Sequence, residues 1–320
     1  MSDKQTMPLI VLAGRTPGSS RLPDGVTDRH VLSGCKGAEL TIAGRPLVTH
    51  VIERMRAAKA FDPVILAGPA SAYSTMDLDA RLLDTDESFG VNIRNAVEQI
   101  HAEYPDKPVA FITCDVLPEK EELQLALEDY HLGRETDLWF PLIRYANDGA
   151  LGSSDWKPKY SVTPDSQGEP VSILPGHLVI VRPAAIRRRF LYRLMNVTYN
   201  TRNRPVLYRT WVLFSRLAGA MTREDFAALM EGHIPRLWFR ALRDGIFAGV
   251  SLSRGGTAVS ELERVADNLL IWPHCRDEWP ERGVRAPLLD ALSLARDIDT
   301  REEASEFDRK MTSGGESSGK

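Results

Sequence analysis

Short runs of consecutive apolar residues recur in the first half of the chain, and segments with helical periodicity separate them. The apolar runs lie at 8–14, 63–68, 108–115 and 137–142. The helical segments lie at 47–58, 92–103 and 119–133. Strands that are apolar on both faces and alternate with helices are typical of a parallel sheet buried between helices. We therefore predict an α/β, Rossmann-type fold with a mostly parallel central sheet and helices on both faces.

The pattern changes after residue 172. A short apolar run at 178–181 predicts one more strand, and the stretch from 184 to about 250 predicts several helices with no clear strand between them. Two further helices are predicted at 261–269 and 300–307. We predict a single domain over 1–310 with a helical insertion at about 184–250, followed by a disordered tail at 311–320 that is rich in Ser, Gly and charge.

The composition excludes several classes of protein. Of the 320 residues 26% are charged and 43% are hydrophobic, which is typical of a folded soluble protein. The net charge of −4 argues against a nucleic-acid partner, and no apolar run reaches the length of a membrane span. Three cysteines far apart in the sequence argue against a disulfide framework or a zinc site. The N-terminus lacks the pattern of a secretory signal, so we expect a cytoplasmic protein.

A polar loop that follows the first predicted strand is the first candidate for chemistry. It begins with Gly14, Arg15 and, further on, Arg21. Glycine lets backbone N–H groups approach a phosphate, and arginine adds a charged fork that matches phosphate oxygens. The loop matches neither the Walker A nor the GxGxxG pattern. On its own it is equally compatible with a phosphate site and with an ordinary turn after a strand.

Three segments, in order, resemble the nucleotidyltransferases with a GT-A-like fold. KGAELTIAGRPLVTHVIE at 36–53 resembles the second half of the family signature, and FITCD at 111–115 resembles the strand end that carries a metal-binding aspartate. DIDTREE at 297–303 resembles the late DxDTPEDL segment. The molybdenum-cofactor guanylyltransferase-like proteins and the sugar- or alditol-phosphate nucleotidyltransferases are the most similar groups. The sequence departs from the family at Arg15, where a second loop glycine is usual, and at Arg301, where proline is common.

The resemblance implies transfer of a nucleoside monophosphate from an NTP to a phosphorylated small-molecule or lipid-linked acceptor, with Mg²⁺ as cofactor and pyrophosphate as product. It assigns nucleotide binding to Leu12, Ala13, Gly14, Arg15, Gly90, Asn92 and Asn95. It assigns catalysis to Lys36 and Arg21. Metal binding falls to Asp115 together with Asp297 or Asp299, of which Asp297 is preferred. Acceptor binding falls to Gly176 and His177.

Each of these residues also has an ordinary structural interpretation. Asp115 could cap the helix predicted after residue 119, and Asp299 or Thr300 could cap the last helix. Lysines such as Lys36 are mostly solvated at the surface. Two other functions stay open: a GT-A glycosyltransferase that uses a nucleotide-sugar, and a catalytically inactive nucleotide-binding protein.

The segment 182–216 contains nine arginines and no Asp or Glu. Aromatic and aliphatic residues alternate with these arginines, and no acidic residue nearby in the sequence offsets their charge. Three interpretations compete: contact with an anionic membrane surface, a pocket for a phosphorylated or lipid-linked acceptor, and an oligomer interface such as that of a homodimer. A solvated helical face packed on the sheet is the fourth.

Overall fold

The computed structural model describes residues 6–15, 32–146, 151, 160–164, 168–201, 206–230, 232, 234–245 and 257–315. The strands are β1 (Met7–Leu12), β2 (Thr41–Ile42), β3 (Arg45–Pro46), β4 (Phe61–Gly68), β5 (Arg81–Asp84), β6 (Val109–Thr113), β7 (Leu138–Trp139), β8 (Leu142–Arg144), β9 (Tyr160–Thr163), β10 (Val171–Pro175), β11 (Val179–Val181), β12 (Thr257–Ala258), β13 (Val284–Arg285) and β14 (Leu288–Leu289).

The α-helices are α1 (Lys36–Glu39), α2 (Leu47–Ala57), α3 (Ala70–Tyr73), α4 (Phe89–Glu103), α5 (Lys120–Leu132), α6 (Arg188–Thr201), α7 (Val206–Met230), α8 (Leu237–Arg240), α9 (Val259–Leu270), α10 (Pro273–Glu278) and α11 (Arg301–Gly315). A π-helical turn, Ala241–Gly245, follows α8, and a 3-10 turn, Leu292–Leu294, precedes α11. Within the described ranges, no helix has both the length and the apolar character needed to cross a membrane.

The central sheet of the described chain has seven strands in the order β13-β7-β11-β6-β1-β4-β5. β1 lies between β6 and β4 and pairs in parallel with both. β4 pairs in parallel with β5, and β13 with β7, whereas β11 runs antiparallel to both of its neighbours. The predicted α/β architecture with a mostly parallel central sheet is confirmed.

The alternation of side chains along β1 divides the core into two layers. Leu9 and Val11 belong to the layer that also contains buried residues of α2 and α5. Ile10 belongs to the opposite layer, together with the apolar faces of α4, α6 and α7. Both faces of the sheet are therefore covered, as strands that are apolar on both sides require. The helical insertion covers the same face as α4.

The run at 137–142, predicted as one strand, is divided between two sheets. β7 lies in the central sheet, and β8 lies in a second sheet with the order β12-β9-β10-β8-β14. Pro141 stands between them and has no N–H to donate to a ladder. Its carbonyl accepts instead from the Gly176 backbone N–H, over 2.8 Å. The chain therefore changes sheets at this proline.

The final helix is longer than its sequence pattern predicts. We expected a helix over 300–307 and a disordered tail from 311, whereas α11 continues to Gly315. The part of the tail at 316–320 lies outside the described residues. The helices predicted between 184 and 250 are present as α6, α7 and α8.

Candidate active site

The carboxyl ends of β1 and β6 bring two predicted site segments to one edge of the sheet. The Cys114 backbone N–H donates to the Leu12 carbonyl over 3.0 Å, and the Ala13 N–H donates to the Ala67 carbonyl over 2.8 Å. These bonds extend the parallel ladder by one residue beyond each strand. The start of the loop after β1 and Asp115 after β6 consequently lie at the same edge, where ligands of open α/β sheets bind.

Lys36 is buried at this edge between two carboxylates. Lys36 is the first residue of α1 and is only 6% exposed. The Nζ atom lies 3.4 Å from Asp115 Oδ2 and also donates to Asp299 Oδ1. Burial by itself would lower the pKa of Lys36, but the charges of Asp115, Asp299 and Asp297 outweigh it and raise the pKa above its ordinary value. Lys36 is therefore a fixed positive charge and not a solvated surface lysine.

A late segment of the chain delivers the other two carboxylates to the same place. The Ile298 backbone N–H donates to the Asp115 carbonyl over 2.7 Å, and Val116 and Asp297 form an antiparallel bridge. The side chains of Asp297 and Asp299, on either side of Ile298, consequently both reach Asp115. The Leu32 N–H donates to the Asp299 carbonyl, which ties the segment before α1 to the same strip of backbone.

The three carboxylates fit a hard divalent cation. One oxygen each of Asp115, Asp297 and Asp299 lies within 4.8 Å of the other two. Two oxygens on opposite sides of one Mg²⁺ or Ca²⁺ ion are about 4–5 Å apart, because each lies about 2.0–2.6 Å from the ion. Asp115 Oδ1 is buried and has no hydrogen-bond partner in the described chain. The three carboxylates and the ammonium of Lys36 together carry two negative charges, the amount that one divalent cation balances.

The N-terminus of α11 has its own capping residues. The Glu303 backbone N–H donates to Thr300 Oγ1 over 3.1 Å, and Glu303 Oε2 accepts from the backbone N–H groups of Asp299 (2.6 Å) and Thr300 (3.1 Å). This reciprocal arrangement is a capping box. The alternative in which Thr300 caps the helix is therefore correct, and the Asp299 carboxylate is directed to Lys36.

Asp115 does not cap α5 either. That helix begins after Glu119, whose backbone N–H donates to Ser293 Oγ over 2.7 Å. The Ser293 N–H in turn donates to Glu122 Oε2 over 2.6 Å. The 3-10 turn before α11 therefore supplies hydrogen-bond partners to the start of α5. These bonds also hold the late segment close to the end of β6.

Replacing Glu303 by Ala is expected to lower the thermal midpoint by several degrees. Glu303 is 2% exposed, and its loss leaves two backbone N–H groups near the cluster without their acceptor. Such a loss costs about 1–3 kcal/mol, and each kcal/mol shifts the midpoint by about 2–4 °C in a protein of this size class. Thermal melts of Glu303→Ala and of the exposed neighbour Glu302→Ala measure this, and equal midpoints would contradict it.

Asn92, predicted to bind nucleotide, is used to support the loop edge. Its Oδ1 accepts from the Glu87 N–H (3.0 Å) and from the Thr85 hydroxyl, and its Nδ2 donates to the Glu87 carbonyl (3.1 Å). A Cβ atom added at Gly14 would lie 2.9 Å from Asn92 Nδ2, so the close approach of the loop to α4 requires glycine. The structure gives Asn92 a positioning role, and its contact with a nucleotide stays a prediction.

Gly90 and Asn95 lie on the same helix but in other surroundings. A Cβ atom at Gly90 would lie 2.6 Å from the Tyr192 carbonyl oxygen, so this glycine lets α6 pack closely against α4. Asn95 is exposed one turn further along α4. Neither residue is brought to the carboxylate cluster by any contact of the described chain, and their nucleotide contacts stay predictions.

His177, predicted to bind the acceptor, lies close to the cluster. Its Nδ1 is 2.9 Å from the hydroxyl of Thr113, two residues before Asp115. Its backbone N–H donates to the Leu294 carbonyl over 2.8 Å. Gly176, next to it, is bound to Pro141 as described above. Sequence reasoning missed Thr113, although its place at the end of an apolar strand, beside Asp115, was a signal.

Of the two arginines of the first loop, Arg15 belongs to the described residues and forms an ion pair. Arg15 Nε donates to Asp86 Oδ1 over 3.3 Å, and both side chains are about half exposed. The hydrogen bond to Asp86 raises the pKa of Arg15, so the group is a charged donor at the loop edge. Arg21 lies outside the described residues.

The described arginines of 182–216 do not form one continuous cationic face. Arg182 lies 3.7 Å from Glu135 and 3.8 Å from Asp137, and Arg188 lies 3.0 Å from Glu98. Part of the positive charge of these arginines is therefore offset by acidic residues that are distant in the sequence but close in the fold. Arg187 is 3% exposed and stacks on Trp272 at 4.9 Å, and burial lowers its pKa to about 10. Arg202, Arg204 and the side chain of Arg209 lie outside the described part.

Comparisons with known proteins bear on the fold. No protein-family model matches the sequence, and no curated protein matches it. A hypothetical transferase from Thermus thermophilus is similar in structure over 93% of this chain and 100% of that one, with a TM-score of 0.52 at 16% identity. A CMP:2-keto-3-deoxy-manno-octonic acid synthetase complexed with CTP is similar over 97% of this chain and 100% of that one, with a TM-score of 0.49 at 11% identity. A 4-diphosphocytidyl-2C-methyl-D-erythritol synthase from Anaerococcus prevotii is similar over 97% of this chain and 100% of that one, with a TM-score of 0.45 at 8% identity. At such identities a likeness shows the fold alone, and the fold shared with the hypothetical transferase agrees with the predicted α/β architecture.

Proposed function

We propose that the protein is a nucleotidyltransferase that depends on a divalent cation, with Mg²⁺ as the expected ion. It transfers a nucleoside monophosphate from an NTP to a phosphorylated acceptor, either a small molecule or a lipid-linked one. The observation that carries the proposal is the convergence of Lys36 with Asp115, Asp297 and Asp299 at the carboxyl edge of the sheet, beside the loop that starts at Ala13.

The reaction needs the charges that this site provides. An oxygen of the acceptor forms a bond to the α-phosphorus, the bond from that phosphorus to the bridging oxygen breaks, and pyrophosphate leaves. Such transfers are catalysed mainly by positioning and by electrostatic stabilisation. Asp115 with Asp297 or Asp299 would hold the cation, which neutralises phosphate oxygens when it is bound. Lys36 would add a second positive charge near the α-phosphate.

The loop after β1 and the region of His177 would hold the two substrates. Backbone N–H groups of Gly14 and Arg15, with the Arg15 guanidinium, suit the β- and γ-phosphates, whereas the Ala13 N–H is already bound to the Ala67 carbonyl. His177, joined to Thr113 at the end of β6, would face the acceptor from the other side of β6, because β11 pairs with β6 while β1 pairs with its opposite edge.

Binding of an NTP is expected to raise the thermal midpoint by several degrees, and only when Mg²⁺ is present. A ligand that binds only the folded state at one hundred times its dissociation constant stabilises that state by about 2.7 kcal/mol. A thermal-shift panel of the four NTPs, with and without Mg²⁺, measures the effect and identifies the base.

The same panel separates the alternatives. Stabilisation by nucleotide-sugars but by none of the NTPs would contradict the proposal and favour a glycosyltransferase. Stabilisation by an NTP without pyrophosphate release, across a panel of sugar-phosphate, alditol-phosphate and lipid-phosphate acceptors, would favour an inactive nucleotide-binding protein.

A further inference from the structure

A large cavity lies between the helical insertion and α4, and it shares no residue with the carboxylate cluster. Its volume is about 820 Å³, within the range of cavities that hold small organic ligands. Residues of α4, α6 and α7 line it, together with Ile186 and Trp272, which precede α6 and α10. The sequence resemblance does not extend to the insertion that forms most of its wall.

Five arginines line this cavity, and four of them have no hydrogen-bond or ion-pair partner among the described residues. They are Arg94 of α4, Arg188, Arg189 and Arg193 of α6, and Arg223 of α7. Arg188 is bound to Glu98, over 3.0 Å. The other four are exposed and make no hydrogen bond, ion pair or ring contact within the described chain.

The two carboxylates of the cavity wall, Glu98 and Glu224, offset only part of the charge of its five arginines. Glu98 already accepts from Arg188 and from the Tyr192 hydroxyl. Glu224, the other acid of the wall, is buried, and its charge acts on the buried Arg187, which stacks on Trp272. Three helices therefore direct like charges into one space, which costs free energy unless an anion lies between them.

The wall also has features that suit an organic anion. The first turn of α4 contributes Gly90 and Val91, and the helix dipole favours negative charge there, although the Gly90 N–H already donates to Asn196 Oδ1 and the Val91 N–H to the Ser88 carbonyl. Trp272 and Tyr192 add aromatic surface beside the guanidinium groups. Guanidinium forks match the oxygens of phosphate bidentately.

We propose that this cavity is a second anion site, which binds the phosphate group of a phosphorylated organic compound. Arg189 and Arg193, one helical turn apart on α6, would bind the phosphate together with Arg94 and Arg223. The phosphate could belong to a soluble phosphorylated compound or to a lipid headgroup. No residue of the carboxylate cluster takes part, and of the described residues predicted to bind nucleotide only Gly90 lines the cavity, so the proposal stands independently of nucleotidyl transfer.

The test uses the full chain and inorganic phosphate as the probe. Phosphate is expected to raise the thermal midpoint of the wild type above that seen in sodium chloride at matched ionic strength. In Arg189→Gln/Arg193→Gln the affinity for phosphate is expected to fall about tenfold or more, since two charged donors are lost. Arg216→Gln is the matched control, because Arg216 is an exposed arginine of α7 outside the cavity wall.

A second arm tests the lipid source by flotation with phosphatidylcholine vesicles that contain or lack phosphatidic acid. Flotation that needs phosphatidic acid and is lost in the double variant supports the lipid headgroup, whereas a phosphate effect without flotation supports a soluble compound. Lys36→Arg, which keeps the buried charge of the carboxylate cluster, is expected to keep the phosphate effect. If the double variant responds like the wild type, if Lys36→Arg loses the response, or if neither probe binds, the cavity is not the site and the proposal is overturned.

Discussion

Asp115→Ala is expected to lower the rate of pyrophosphate release by about 10³-fold or more, with the fold intact. Asp115 lies at the centre of the cluster: its Oδ2 faces Lys36, and its Oδ1 is buried without a hydrogen-bond partner in the described part of the chain. Loss of this carboxylate removes a ligand of the proposed cation but leaves Lys36 paired with Asp299. Steady-state turnover with saturating NTP and Mg²⁺, together with a circular dichroism melt, measures both parts.

Asp290→Ala provides the control for this substitution. Asp290 also follows a strand, β14, but its side chain is 70% exposed and paired with Arg144. Exposed ion pairs contribute little to stability, so this variant is expected to behave like the wild type. Asp115→Ala with wild-type turnover would remove Asp115 from the proposed cation site. A similar loss in both variants would mean that the effect is unspecific.

The elements that carry the site could be predicted because their patterns are local. β1, β4 and β6 are runs of apolar residues, and α2, α4 and α5 have one apolar face each. The second sheet could not be predicted, because two of its five strands are only two residues long and are formed by pairing, not by their own composition. Pro141 was the one local signal that the run at 137–142 is not a continuous strand.

The proximity of the acidic residues could not be predicted from local patterns, because Asp115 and Asp297 are far apart in the sequence. It was predicted only from the resemblance of three ordered segments to family motifs. The structure supplies the physical link, a bridge between Val116 and Asp297 and a backbone bond from Ile298 to Asp115. The preference for Asp297 over Asp299 stays a prediction, because both carboxylates reach the cluster.

The contacts of the arginines at 182–216 could not be predicted from the sequence. Their abundance was visible in the sequence, but their partners were not. Glu98 belongs to α4 and meets Arg188 only because α6 packs across that helix. Burial of Arg187 likewise depends on Trp272, which lies far along the chain. Pairing of charges across a helix interface is set by packing, and the sequence offers no local pattern for it.

Lys36→Ala is expected to lower kcat by about 10²-fold or more and to change the KM for NTP much less. A preorganised charge that acts on the α-phosphate as negative charge develops contributes mainly to the transition state. The raised pKa keeps the ammonium charged up to at least its ordinary value of 10.5, so an alkaline decline in rate below that pH would arise from another group. Lys120→Ala, an exposed lysine at the start of α5, is the control.

The substitution also leaves buried carboxylates without their ammonium partner, which can destabilise the fold. Lys36→Arg separates the two effects, because it keeps the charge but places it on a longer, planar group. We expect Lys36→Arg to melt close to the wild type and still to lose most of its kcat, since a displaced charge no longer meets the α-phosphate. A rise in KM alone, in both Lys36 variants, would show that Lys36 holds the ground-state nucleotide. Wild-type kcat in Lys36→Arg would show that the requirement is for charge without fixed geometry.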